Sequence, residues 1–221
     1  MYWIQEGKEM IFITDPVEIE KRSFQIIAEK LAGRRFDPQN ANVIKRVIHT
    51  TADFDYVDNL VFSDNVITTA KDVLKNGARI VTDTQMAKAG INKKALEQLG
   101  CSVHCFIDAQ EVATIAQAAG ITRARAAVDH AIETLENPIV FVIGNAPTAL
   151  IRLYELISSG VFTPVLIIAV PVGFVNVVES KELILTLQVP HIVARGQKGG
   201  SNVAAAICNA LVYETSERTL T

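Results

Sequence analysis

Two rhythms divide the chain. From Asp15 to about Asn76 apolar residues recur at helical spacing. Ile19, Phe24, Ile27 and Leu31 form a stripe expected to be buried, which starts behind Asp15-Pro16, an N-cap aspartate with proline at the first helical position, and stops at Gly33. A second helix is predicted from near Asp37-Pro38, with Val43, Ile44, Val47 and Ile48 turned inward. Ser63 is expected to cap a third, with Val66, Ile67, Ala70, Val73 and Leu74 apolar and Gly77 as its stop. From Ala78 onward short Val/Ile-rich runs alternate with helical stretches. The runs are Ala78 to Thr82, Ser102 to Ile107, Ile139 to Ile143, Val165 to Val170 and Ile192 to Ala194, nearly unbroken in their hydrophobicity as strands covered on both faces should be. Helices are predicted over Thr84 to Leu99, Gln110 to Leu135 (divided at Gly120), Pro147 to Ser158, Val177 to Leu187 and Ser201 to Tyr213. The pattern predicts an α/β fold in three layers, α/β/α, with five parallel strands and right-handed crossovers. The additional N-terminal helices (residues 15–76) are expected to pack on the α/β part (78–213) within a single domain spanning 1–221.

Composition adds constraints more than chemistry. At 221 residues, 49% apolar, 20% charged and a formal net charge of -3, the chain has the make-up of an ordinary folded protein. Its slight acidity argues against a nucleic-acid partner held by phosphate neutralisation. Cys101, Cys105 and Cys208 cannot all pair, and reduced thiols are expected. Their spacing suits no metal site, so no metal ligands are assigned. The start, Met1-Tyr2-Trp3-Ile4, is followed at once by Glu6, Lys8 and Glu9, unlike a signal peptide. The longest apolar stretch, Val165 to Val178, is broken by Pro171, Gly173 and Asn176 and is too short to span a bilayer. A cytoplasmic protein with no membrane partner is the expectation.

Three strands run into loops of glycine and small polar residues: Gly144-Asn145-Ala146-Pro147-Thr148, Pro171-Val172-Gly173-Phe174 and Arg195-Gly196-Gln197-Lys198-Gly199-Gly200-Ser201. Such loops place backbone N–H groups and helix N-termini at the carboxyl ends of the strands, where an open α/β sheet binds ligands. Carboxylates or phosphates would suit that rim. Arg123, Lys181, Arg195 and Lys198 fall around the loops and could grip a polyanion, although solvated surface charges fit the same spacing. No G-x-G-x-x-G follows a first strand, the last loop is spaced wrongly for a phosphate loop, and no G-x-S-x-G elbow occurs.

Histidine is the remaining candidate for proton chemistry. His49 lies near the end of the second helix, four residues before Asp53. An i to i+4 carboxylate and a helix C-terminus would both favour the imidazolium and raise the pKa toward that of a working general acid. A half-buried histidine that only ties down the turn fits the spacing as well. His104 and His191 fall in or beside strands, and His130 lies on a charged helix segment, so structural or solvent-facing positions are expected for them.

Five segments taken in order are distinctive: Arg46-Val47-Ile48-His49-Thr50-Thr51-Ala52-Asp53-Phe54, Gly144-Asn145-Ala146-Pro147-Thr148-Ala149-Leu150, Pro171-Val172-Gly173-Phe174-Val175, Glu179-Ser180-Lys181 and the Arg195–Ser201 loop. Together they resemble the precorrin-8X / cobalt-precorrin-8 methylmutase family, and the resemblance runs from about Pro16 to Tyr213. It implies a Rossmann-like parallel sheet and an isomerase of cobalamin biosynthesis. Such an enzyme moves a methyl group from C-11 to C-12 of precorrin-8X or cobalt-precorrin-8, giving hydrogenobyrinate or cobyrinate. It also implies that His49 is the catalytic histidine and that the protein is a homodimer with the macrocycle near the subunit interface. No cofactor is implied, since cobalt, if present, is carried by the substrate. Binding roles are carried over to Ser23, Arg123, Gly144, Thr148, Gly173, Ser180, Lys181, Arg195, Gly200 and Ser201. The family's first helix often has an aromatic residue three positions before the serine, and here that position is Glu20. Two other functions are to be tested against this one: a non-catalytic corrinoid carrier that hands the product to the next pathway enzyme, and an unrelated α/β enzyme of a nucleotide or sugar phosphate.

Overall fold

The structure, a computed structural model, describes residues 2–5 and 8–216. A short antiparallel hairpin opens it, β1 (Tyr2–Gln5) against β2 (Lys8–Ile11), with Tyr2 opposite Ile11. Helix α1 (Pro16–Leu31) begins where Asp15 accepts a hydrogen bond from the Glu18 N–H at 2.9 Å. A 3₁₀ turn (Pro38–Asn40), capped by Asp37, leads into α2 (Ala41–Thr51), whose Val43, Ile44, Val47 and Ile48 are all buried. Then come α3 (Tyr56–Asn59), β3 (Leu60–Phe62) and α4 (Val66–Lys75).

The five predicted parallel strands are present as β4 (Arg79–Thr82), β5 (Ser102–His104), β6 (Ile139–Ile143), β7 (Leu166–Ala169) and β8 (His191–Ala194). A sixth was not expected. Three-residue β3 runs antiparallel to β8, Leu60 opposite Ala194, and the sheet order is β3-β8-β7-β6-β4-β5. A run of three residues is too short to show a period of two, so it merged with the helical half of the chain. Ser63 also departs from expectation. Its hydroxyl accepts from the His191 N–H at 2.9 Å and pins the end of β3 to β8, while α4 starts after Asn65 in a left-handed conformation.

The sheet is covered on both faces, and alternate residues of each strand serve opposite layers. Val140, Val142 and Ile168 join the core beneath α11 (Ser201–Thr215), which α4, α5 (Gln85–Gly90) and α6 (Lys93–Gln98) flank. Phe141, Ile143 and Ile167 join the other core, under α8 (Arg123–Thr134), α9 (Pro147–Ser158) and α10 (Val177–Leu185), with α7 (Gln110–Ala119) beside α8. The single helix predicted over Thr84 to Leu99 is two, because the Asn92 side chain caps the second through the Ala95 N–H. Helix α2 packs on α11, and α1 packs on α2, so α1 lies outside the three layers. This placement explains its stripe: Ile27 and Leu31 are buried, Phe24 is half-buried, and Ile19 is exposed. Among the described residues no helix is long and apolar enough to cross a membrane. The three cysteines are free.

Candidate functional site

Outermost α1 leaves an open cleft of about 510 Å³ between itself and the last turn of α2. That size suits a small-molecule site, for which roughly 300–1,000 Å³ is usual. Phe12, Ile13, Ile19, Ile26 and Phe54 give it apolar walls, and Arg22 and Lys30 stand on its rim. His49 and Ser23 are its polar floor. The Ser23 hydroxyl lies 2.8 Å from Nδ1 of His49, and the Phe24 ring stacks on the imidazole at 5.0 Å with 15° between planes. Among the described residues Nε2 has no protein partner. Because Nδ1 is engaged by Ser23, Nε2 is the nitrogen left for a ligand.

The electrostatics differ from the expectation drawn from spacing. Asp53 does not hold His49. Ala52 ends α2 in a left-handed conformation (φ 55°), which turns the chain before Asp53. The Asp53 carboxylate instead takes Lys198 Nζ at 2.6 Å, shared with Asp55 at 2.6 Å, and that hydrogen bond holds its pKa below the ordinary range. The His49 pKa is correspondingly lowered, not raised. Partial burial under its apolar neighbours is the largest cause, the Arg46 charge adds to it, and Glu20 opposes both.

The glycine-loop rim is a different environment, filled from within. Asp83, at the end of β4 and only 5% exposed, accepts from the N–H groups of Gly144, Asn145 and Ala146 at 2.9, 2.7 and 2.6 Å. Burial pushes its carboxyl up in pKa, and the three amides pull it back. The nest expected to greet a ligand's carboxylate already holds one of the protein's own. Gly144 has a packing reason as well, since a Cβ there would sit 2.8 Å from Ser201 Cα and 3.0 Å from the Gly200 carbonyl oxygen. Lys181 is fully buried and donates to the Gly196 and Lys198 carbonyls at 2.7 and 2.8 Å. Burial lowers its pKa to about 8. Ser180, also fully buried, donates to the Val177 carbonyl.

The other carried-over residues lie along the same rim. Gly200, at φ 134°, donates its N–H to the Val170 carbonyl, and Gly173, at φ 144°, donates to the Gln197 carbonyl. The Ser201 and Thr84 hydroxyls are 2.8 Å apart, and Thr148 accepts from the Thr122 hydroxyl at 2.8 Å. Arg195 makes a two-pronged pair with Glu182 at 2.9 and 3.1 Å. Arg123, at the start of α8, is exposed and has no ion pair among the described residues. Of the residues given roles by the resemblance, only Ser23 and His49 line the cleft. Gly144, Ser180, Lys181 and Gly200 face inward because strand-end loops must satisfy their own buried polar groups.

Sequence reasoning missed Asp83, Arg46 and Phe54. Asp83 had a signal: a lone acid directly after an apolar strand, opposite a glycine loop. Arg46 and Phe54 carry no local signal beyond their place in the Arg46–Phe54 segment.

The family model described as precorrin-8X methylmutase matches residues 18–214. The cobalt-precorrin-8 methylmutase of Salmonella typhimurium is 47% identical over 215 residues, covering 94% of this chain and 100% of its own. The precorrin-8X methylmutase of Pseudomonas aeruginosa is 39% identical, covering 92% of this chain and 98% of its own. Among solved structures, the precorrin-8X methyl mutase of Thermus thermophilus superposes with a TM-score of 0.82 at 36% identity, covering 90% of this chain and 98% of that one. Agreement of that extent takes in every strand of the six-stranded sheet together with Ser23 and His49: the chain belongs to the precorrin-8X methylmutase family.

Proposed function

We propose that this chain moves a methyl group from C-11 to C-12 of the precorrin-8 macrocycle, with His49 as the general acid. The coarser statement follows from family membership: the protein is a methylmutase, an isomerase of cobalamin biosynthesis acting on precorrin-8X or cobalt-precorrin-8. The observation that supports the finer reading is the imidazole itself. It lies on an apolar cleft, Nδ1 is held by Ser23, and Nε2 is left to a ligand. In the reaction the C-11 to CH₃ bond breaks as the C-12 to CH₃ bond forms. His49 lends a proton to the ring during the shift and recovers it afterwards. No electrons are exchanged, so the step needs no redox partner. General acid help of this kind is worth roughly 10²–10⁴-fold, and holding the ring against the apolar wall supplies orientation.

The lowered pKa fits a polyanionic substrate. In the free protein burial and the Arg46 charge favour the neutral imidazole of His49. A macrocycle fringed with carboxylates brings negative charge to Arg22, Lys30 and the imidazole, and so favours the imidazolium only when the ring is bound. An open cleft would cover only one face of a flat ring, and Phe12, Ile13 and Ile19 on its walls are about half exposed. We read these as the surface that a second copy covers, closing the site in a homodimer.

The test is turnover of cobalt-precorrin-8 and precorrin-8X followed by the visible spectrum. His49→Ala is expected to bind the ring and to turn it over about 10²-fold or more slowly. Full turnover in that variant removes His49 from the mechanism. Wild-type protein that holds the ring unchanged is a carrier instead. The sign of the pH dependence follows from the shift. For free enzyme the required imidazolium becomes populated as pH falls, so kcat/KM rises toward acid with a midpoint below the ordinary histidine value. Substrate carboxylates move the kcat midpoint to higher pH.

A further inference from the structure

We propose that Arg46 is a positioning residue for the reaction: clamped by Glu20 and laid over Phe24, its guanidinium holds the Phe24 ring flat against the His49 imidazole. The inference rests on the reading of His49 as the acid and adds what orients it. Arg46 precedes His49 by one turn on α2, and its side chain is only 11% exposed. It does not line the cleft, so it is not placed to grip a substrate carboxylate. One guanidinium nitrogen donates to Glu20 Oε1 at 2.8 Å. Its central carbon lies 4.8 Å from the centroid of Phe24 and 5.3 Å from that of Tyr213. Tyr213 is itself held on α11, accepting from the Asn92 amide at 3.2 Å.

A planar cation on an aromatic face is geometrically selective in a way an ammonium is not. Here the aromatic face it selects carries the imidazole. Phe24 has two χ angles and only partial cover, so the guanidinium on its face adds a restraint on the ring plane to that of the imidazole stacked on it. The charge acts in the same place. Arg46 disfavours the imidazolium while the cleft is empty, and Glu20 offsets part of that. The other charges near the ring are Arg22 and Lys30 on the cleft, while Asp53 and Lys198 are paired with each other. Tyr213 faces from α11.

The experiment titrates the His49 imidazole by ¹⁵N-correlated NMR in the full-length protein, identified by its loss in His49→Gln, and measures turnover beside it. Arg46→Gln is expected to move the His49 midpoint upward and to lower kcat about tenfold, with KM within about twofold. Arg46→Lys should return the midpoint toward wild type and leave kcat low, because it restores the charge and not the plane. Should Arg46→Gln fail to fold, Glu20→Gln at the half-exposed end of the clamp reads the same coupling, with the midpoint expected to move down. An unmoved midpoint with unchanged kcat in folded Arg46→Gln, or an unmoved midpoint in Glu20→Gln, overturns the proposal. Full turnover by His49→Ala sinks the acid assignment and leaves the NMR result standing, so the two failures are distinct.

Discussion

The loops at the carboxyl ends of the parallel strands and the cleft between α1 and α2 are opposite in how they treat their polar and apolar groups. At the strand ends, three successive amides close on Asp83, two carbonyls close on Lys181, and Arg195 faces Glu182. In the cleft the reverse holds: apolar Phe12, Ile13 and Ile19 are about half exposed, and Nε2 of the imidazole has no partner among the described residues. A region whose groups are already paired contributes rigidity. A region left incomplete is where a ligand or second chain gains free energy by arriving. The difference predicts that substitutions at the rim act on stability, and substitutions in the cleft act on turnover and assembly.

The largest effect is expected at Asp83. Asp83→Ala leaves three N–H groups without their acceptor, those of Gly144 and Ala146 buried and that of Asn145 partly so, at about 1–3 kcal/mol each when fully orphaned. We expect a loss of about 3–5 kcal/mol in urea denaturation once some water enters. A loss under about 1 kcal/mol would mean that the nest tolerates being empty, and the contrast with the cleft would fail. Lys181→Met comes next. It strips the donor from the Gly196 and Lys198 carbonyls while removing a buried charge, for a net loss of about 1–3 kcal/mol at pH 7. The pH dependence has a definite sign. Lys181 titrates at about 8 when folded, whereas a free lysine titrates near 10.4. Between those values the unfolded chain binds more protons, so this group makes wild-type stability rise with pH there, relative to Lys181→Met. Below pH 8 both states are charged and it contributes no slope. A falling difference across that window would show that the ammonium is not held where the structure has it.

Both regions were unequally legible in the sequence. The strand and helix pattern from Ala78 onward was readable because strands buried on two faces are unbroken in apolar residues and contrast with the mixed helical stretches between them. Asp15, Asp37, Thr84 and Thr122 all cap as their types suggest. What escaped was long-range. Nothing local says that Asp53 turns to Lys198, 145 residues away, rather than to His49 on the preceding turn; that depends on the left-handed Ala52. Likewise a glycine loop looks the same in sequence whether its amides face a ligand or a buried aspartate. Stripe residues on α1 were misread as core because periodicity finds the apolar face and not what covers it. Ile19 has the right spacing and lies outside the last packed layer.

Ile19→Ser therefore gives the sharpest contrast with Asp83, because the stability change should be smallest where the functional change is clear. Ile19 is 47% exposed on the cleft wall, so replacing it removes little packing. Its effect on urea denaturation of the chain should stay within about 0.5 kcal/mol, the usual range for surface positions. Its apolar area is nevertheless available to a ring face or a partner chain. Covering the exposed half of an isoleucine is worth roughly 1 kcal/mol, which corresponds to a rise in KM of about fivefold. If the second copy supplies the cover, sedimentation at low micromolar protein should instead show weakened association. Unchanged KM together with unchanged association would mean that this wall is ordinary exposed surface, since scattered apolar side chains occur on any protein. A loss of stability as large as that of Asp83→Ala would break the comparison from the other side, by making α1 part of the core after all.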